Sequence, residues 1–394
     1  MKICAIICEY NPFHYGHKYL IDQAKLLSDT DAILCIMSGN FVQRGEAAIL
    51  EKHRRAEIAV ECGADIVVEL PTVFATSNAE IFARGAISIL EKIPQVTHLC
   101  FGVESGDKDS FLHAAKLLAT EPKEVSAKLQ GLMDEGVSYA AALTQAREAV
   151  LSENLLSSPN NILGLEYAKA ILSAKASIEI LPVVRNGGKY HDTRLDVRYP
   201  SATAIRKACT DGKLAELKQA LPPPIFSAMQ DANIFDLSTA EKIAVIKTDA
   251  CLLAETLDCN EGLENAFKKA ATLPPTFSES LTSPRYTASR IRRIALQNLL
   301  EIRKAFVFGC LMNPLYIRPL AYNADRKDVL SALSKAKIPF LACGQDRELL
   351  QGVAAKCLQT DILAEDVYAA LAQKIYDNKT IVKKSSPIDM HPKS

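Results

Sequence analysis

Short apolar runs alternate with amphipathic stretches from the N-terminus onward. Residues 3–8, ICAIIC, are a continuous apolar run suited to a strand buried on both faces, and residues 9–13, EYNPF, break it with turn chemistry. From Tyr15 the apolar positions Tyr19, Leu20, Ala24 and Leu27 recur at helical spacing. The unit then repeats. A second strand is predicted at 31–37, a small and polar loop at 38–46, a helix at 52–62 and a third strand at 66–71, stopped by a proline. A helix over 77–90 leads to a fourth strand at 96–101, which leaves through Gly102. Such alternation predicts an α/β fold with a Rossmann-like doubly wound parallel sheet. In open sheets of this kind ligands sit at the carboxyl ends of the strands, where the 38–46 loop falls.

Residues 107–150 read as helical, and 157–174 as a helix with Pro159 in its first turn and Asn160 and Asn161 beside it. A further strand is predicted at 178–184, ending in Arg185-Asn186-Gly187-Gly188, and a polar turn at 199–207 opens another helix. Beyond it the pattern changes. The run Leu221-Pro222-Pro223-Pro224-Ile225 marks the best boundary, and helices are predicted at 239–256, 261–271, 286–306, 327–336 and 347–358. The single strand-like run in this half is 339–343, and the tail from Lys383 is expected to fray. Two domains follow: residues 1–215, and a mainly α-helical domain over 216–394.

Composition narrows the class. Hydrophobic residues make up 48% and charged residues 23% of the 394, which excludes wholesale disorder, and no apolar run approaches the roughly 20 residues of a membrane span. The N-terminal apolar segment is only a strand long and runs into polar turn residues, so no signal peptide is expected; the chain is assigned to the cytoplasm, with no membrane partner. Its eleven cysteines lie in apolar stretches without a C-x-x-C pair and read as buried thiols, not zinc ligands. Formal net charge is zero, so a nucleic acid would need a local basic patch.

Three places carry candidate chemistry. His14, Gly16 and His17 stand where the first strand hands over to the first helix, whose free N–H groups and dipole attract an anion. A second phosphate cradle is read at 201–207, where Ser201 and Thr203 open a helix and Arg206 follows within its first turns; an N-cap with a solvated arginine would look the same. Arg285, Arg290, Arg292 and Arg293, with a tyrosine and hydroxyls between them, are the densest basic cluster, equally readable as a solvated helix face or an RNA contact.

The pairing of HYGH after the first strand with SATAIR before a late helix resembles the signatures of the nucleotidylyltransferase superfamily. With EYNPFHYGHKY, MSGNFVQRGEAA, GADIVVELP, SPNNILGLEYAKA and RYTASRIRR, the chain resembles the bacterial tRNA(Met) cytidine acetate ligase family over essentially its full length. The resemblance implies that acetate attacks the α-phosphate of ATP to give acetyl-adenylate, and that the acetyl group passes to N4 of the wobble cytidine (position 34) of elongator tRNA(Met). It makes His14, His17 and Arg206 the catalytic set. It places ATP against Ile7, Cys8, Glu9, Tyr10, Asn11, Pro12, Phe13, His14, Tyr15, Gly16, His17, Lys18, Tyr19 and Leu20, with Gly102, Asn160 or Asn161, Arg185, Ser201 and Thr203. Magnesium is expected with ATP although no carboxylate pair is dedicated to it, and the four arginines are assigned to tRNA. Ala202 departs from the superfamily's usual second hydroxyl, leaving the backbone N–H there to serve. The competing expectations are a nucleotidylyltransferase acting on a small phosphorylated metabolite and a non-catalytic RNA-binding protein.

Overall fold

The computed structural model describes residues 1–119, 122–137, 139–149, 151, 155–156, 158–185, 200–218, 221–342, 344–376 and 379–384. Five strands come from the predicted apolar runs: β1 (Ile3–Cys8), β2 (Ala32–Ser38), β3 (Ile66–Leu70), β4 (Val96–Val103) and β5 (Glu179–Val184). All five are parallel, and β1, β2 and β3 are buried along their whole length. Burial on both faces is what continuous apolar runs require. In β1, Ile3, Ala5 and Ile7 enter one core and Cys4, Ile6 and Cys8 the other.

Helices cover both faces. Helices α1 (Tyr15–Ser28) and α2 (Lys52–Glu61) pack on the Cys4 side. Helices α3 (Ala79–Leu90) and α4 (Pro159–Ala174) pack on the Ile3 side. The chain winds from β1 to β2 and β3 on one flank, then crosses to β4 and β5 on the other. The crevice outside the carboxyl ends of β1 and β4 is therefore the topological switch point of the sheet.

The second half is mainly helical, and it also returns to the sheet. Two further strands, β6 (Pro319–Asn323) and β7 (Ile381–Lys383), extend the sheet to the order β5-β4-β1-β2-β3-β6-β7, with β6 antiparallel to β3. The Ile3-side core runs without a break into Tyr316, Ile317 and Tyr368. The Cys4-side core likewise continues from Ala208 to Leu217, Leu221 and Ile225. The prolines at 222–224 are no linker: they lead into a short helix, Pro223–Ala228, and Leu221 and Ile225 are buried in the Cys4-side core. What has a core of its own is a smaller unit, built on Val245, Leu253, Phe267, Phe277, Ile291 and Ile294.

Other boundaries moved for local reasons. The helix predicted over 239–256 is two, Ser238–Lys247 and Ala250–Ala254, parted at Thr248, whose backbone is extended. That over 286–306 ends at Leu299 in helix α6 (Ala288–Leu299), where Glu301 turns left-handed with φ 56°. The last predicted helix is longer than its pattern suggested, α7 (Gly352–Ala372). Of the 339–343 run, Phe340 makes one isolated bridge to Ile317, and Cys343 lies outside the described residues. So do residues 186–199 and the tail beyond 384. The ten described cysteines are free thiols, all but Cys209 and Cys251 buried. Among the described residues no helix is long and apolar enough to cross a membrane.

A buried charge network ties α7 to the sheet. Lys52 donates to both oxygens of Glu69 at 2.6 and 2.8 Å and to Glu365, and Arg318 reaches Glu69 at 3.0 Å and Glu365 at 2.6 Å. Burial favours the neutral form of Glu365, but Lys52 and Arg318 outweigh it and hold its carboxyl below the usual range.

Candidate active site

A cleft of about 210 Å³ opens at the switch point. Its floor is the carboxyl end of β1 with the turn that follows. Tyr10 adopts a left-handed backbone (φ 49°), which folds its ring back under the site, with its hydroxyl 3.3 Å from Cys35 Sγ. Tyr10, Phe13 and His17 then pack ring against ring, with centroids 4.7 to 5.6 Å apart.

The two histidines form the N-terminus of α1. His14 is its N-cap: its Nδ1 accepts from the N–H of Gly16 at 3.1 Å, while His17 Nδ1 accepts from the N–H of His14 at 3.3 Å. This is a capping box made of imidazoles. Because both Nδ1 atoms accept, each ring carries its proton on Nε2. The rings stack at 3.7 Å with 23° between their planes. Burial lowers both pKa values: His17 falls to about 3, with Arg185 adding to the effect, and His14 is pushed well down by burial, then by His17, Arg185 and Arg206. At neutral pH the pair is two uncharged N–H donors.

That neutrality has a cost in acid. An unfolded imidazole titrates near 6.5, so below this pH the unfolded chain binds protons that the folded chain refuses, and stability rises with pH. The penalty is absent above about 6.5 and grows as pH falls towards 3. In urea titrations the loss of midpoint between pH 7 and pH 5 is expected to be smaller in His17→Ala than in the parent protein. Equal losses would mean that the ring is not held neutral.

Gly16 serves a purpose other than the one read from the sequence. A Cβ there would stand 2.9 Å from His14 Cε1, so glycine makes room for the imidazole and not only for a ligand. Gly16→Ala is expected to displace the His14 ring and lower activity at least tenfold, by the logic that small misplacements of reacting groups are expensive. Rates at saturating ATP, with a melting curve alongside, test this.

Opposite α1, helix α5 (Ala202–Thr210) begins with Ser201 as N-cap, its Oγ accepting from Ala204 N at 3.1 Å. Ser201, Ala202, Thr203 and Arg206 line the cleft, and Arg206 donates to the carbonyl of Asn11 at 2.7 Å. Gly102 and Arg185 close the β4–β5 side. The structure separates the two asparagines: Asn160 lines the cleft and donates to Glu104 at 3.2 Å, whereas Asn161 is buried, accepting from Glu104 N and donating to Ser105. Of the other residues in the expected ATP segment, Ile7, Cys8, Glu9, Tyr10, Asn11, Tyr19 and Leu20 also line the cleft. Pro12, Phe13, Tyr15 and Lys18 do not; Lys18 pairs with Asp22 one turn along the helix.

The fourth wall is a hairpin, Phe41–Val42 against Glu46–Ala47, spanning the predicted 38–46 loop and one residue beyond it. Glu9 Oε1 accepts from the N–H of Gln43 at 2.7 Å. From behind, Arg292 pairs with Glu46 at 3.1 Å and donates to the Arg44 carbonyl at 3.2 Å, and Arg293 reaches the Gln43 carbonyl and Asp258. At Gly45 (φ +72°) an added Cβ would lie 2.5 Å from Arg293 N, so α6 packs directly on the turn. The four arginines therefore do not form one exposed face. Arg285 is the open one, paired with Glu261; Arg290 holds the Asp258 carbonyl beneath Tyr286; Arg292 and Arg293 brace the hairpin.

Sequence reasoning missed Arg55. It falls in the predicted 52–62 helix with no role assigned, yet it is fully buried and donates to the carbonyls of Glu9, Gly39 and Leu50, locking the loops after β1 and β2 together. Only a count of unpaired carbonyls at two strand ends could have found it.

The HIGH Nucleotidyl Transferase family model matches residues 1–383. The tRNA(Met) cytidine acetate ligase of Clostridium novyi (strain NT) is 38% identical over 352 residues, covering 85% of this chain and 88% of its own. That of Acetivibrio thermocellus is 34% identical over 393 residues, covering 93% and 94%. The chain belongs to the tRNA(Met) cytidine acetate ligase family. It is a ligase, and the alternative of a nucleotidylyltransferase for a small phosphorylated metabolite is not favoured. Its fold matches the crystal structure of Thermotoga maritima TmcAL without ligand at a TM-score of 0.89 and 30% identity, over 98% of this chain and all of that one. The crystal structure of the same protein bound with alpha-thio ATP matches at 0.86 and 29%, over 97% of this chain and all of that one.

Proposed function

We propose that the cleft binds ATP and joins it to acetate, giving acetyl-adenylate and pyrophosphate, and that the acetyl group then passes to N4 of the wobble cytidine of elongator tRNA(Met). The observation that carries this reading is the neutral imidazole pair. Its two Nε2–H donors stand at the N-terminus of α1, facing Arg206 and Arg185 across one cleft. Family membership and the alpha-thio ATP complex of the Thermotoga maritima protein support it.

In the first step an acetate oxygen attacks the α-phosphorus and the bond to the departing pyrophosphate breaks. Charge grows on the α-phosphate oxygens, and uncharged donors fixed by a capping box meet it without reorganising. Arg206 and the N–H groups opening α5 offset the charge on the leaving pyrophosphate. Arg185, held near Glu104 at 4.0 Å, and Asn160 bind and orient the rest of the nucleotide. Among the described residues no three His, Cys, Asp or Glu side chains are grouped as metal ligands. Magnesium entering with ATP would be held chiefly by phosphate and water, screening their charge. The RNA-binding role remains with the surface around Arg285 and Arg290, while Arg292 and Arg293 contribute through the hairpin.

Incubation with ATP, labelled acetate and total tRNA, followed by nucleoside analysis, tests the reading. Label is expected in N4-acetylcytidine of elongator tRNA(Met) alone; label in a small molecule or in no nucleoside would reject it.

A further inference from the structure

Behind the hairpin lies a second cleft of about 460 Å³, between the catalytic sheet and the small helical unit. Glu46 and Arg206 line both clefts, so these two side chains alone stand on both sides of the partition between them. Inside it, Glu241 is 7% exposed, and no hydrogen bond or ion pair to its carboxyl is formed among the described residues. The side chain is largely buried while its carboxyl, without a protein partner, opens onto the cleft, where a ligand can bond to it. Phe235, half-buried and packed edge-to-face with Tyr368 at 4.9 Å, supplies an aromatic ring to the same cleft. The space is far larger than two-carbon acetate needs, and acetate must in any case lie against the α-phosphate in the first cleft.

We propose that the second cleft receives the target cytosine of the RNA and that Glu241 reads its Watson–Crick edge. The assignment rests on the ligase reading above. Single-stranded RNA bases are recognised in this manner, splayed out, stacked on an aromatic ring and hydrogen-bonded along that edge. Burial raises the Glu241 pKa to about 8, Asp236 adding to the rise and Arg292 opposing it, so at neutral pH the group is mainly a carboxylic acid. Its O–H donates to cytosine N3 and its carbonyl oxygen accepts from N4–H, a bidentate match. N4 is thereby aimed past Glu46 and Arg206 at the acetyl-adenylate. When N4 attacks the acetyl carbon, the new C–N bond forms and the bond from that carbon to the phosphate oxygen breaks. AMP leaves with the electron pair, and the proton displaced from N4 passes to the departing phosphate.

The test uses the full chain with ATP, labelled acetate and an unmodified tRNA(Met) transcript, reading acetate-dependent pyrophosphate exchange and acetyl transfer separately. Glu241→Ala is expected to lower transfer about 10- to 100-fold, in keeping with the loss of a bidentate base contact, with exchange within about twofold of the parent. Glu241→Gln is expected to keep transfer within about threefold, because an amide offers the same donor and acceptor. Ser278→Trp, on the rim of the second cleft alone, is expected to raise the KM for tRNA at least tenfold. Transfer undiminished in Glu241→Ala, exchange falling in step with transfer, or a glutamine variant as impaired as the alanine one overturns the pocket. If Glu241→Ala does not fold, normal transfer by Ser278→Trp overturns it. A parent protein that acetylates no tRNA rejects the ligase reading and the pocket together.

Discussion

Replacing His17 by alanine is expected to lower acetate-dependent exchange of labelled pyrophosphate into ATP by about 10²- to 10³-fold, the usual loss when one fixed donor to a developing oxyanion is removed. The structural side of the change is small by comparison. His17 Nδ1 caps the His14 N–H, and losing a cap costs about 1 kcal/mol. A stable, folded and inactive variant is therefore the expected result, with ATP affinity changed far less than the rate. Because both rings donate through Nε2 as neutral groups, the rate of the parent protein should vary little with pH from 6 to 8 on their account. An exchange rate within threefold of the parent would remove His17 from the reaction.

Lys52→Met is expected to destabilise the fold by roughly 3–5 kcal/mol, the cost of breaking a buried ion pair while leaving its partner charged. Lys52 is fully buried between Glu69 and Glu365, and its loss leaves two carboxylates against the single cation of Arg318. The double variant Lys52→Met with Glu365→Leu restores a balance of one cation to one anion. It should recover a substantial part of the loss, since well-packed apolar replacements of a buried pair are often neutral. Urea unfolding of the four proteins of the cycle at pH 7.5 measures both effects. Simple additivity of the two single losses would show that the pair is not coupled.

The parallel core was legible because burial on both faces leaves a one-dimensional signal: an apolar run of strand length between turn residues. The runs at 3–8, 66–71 and 178–184 came out as strands within a residue or so. The histidine pair was legible for the same reason, since it sits at a junction that the runs define. Strand β6 was not. It opens on Pro319 and pairs antiparallel with β3, so its place depends on Ile66 and Val67, some 250 positions away. The arginine cluster was legible as charge and not as contacts. Its charge could be counted, but the partners of Arg292 lie at Arg44 and Glu46, and no local pattern tells a guanidinium facing RNA from one clasping a distant carbonyl. Lys52 and Arg55 repeat the lesson inside a helix whose sequence, KHRRAEIAVE, looks solvated.

Every residue lining the nucleotide cleft lies at or before Arg206, yet the hairpin that walls it is propped by Arg292 and Arg293. The wall of the site thus depends on sequence far beyond its last lining residue, and a chain cut before α6 is expected to lack the brace even though it holds every cleft-lining side chain.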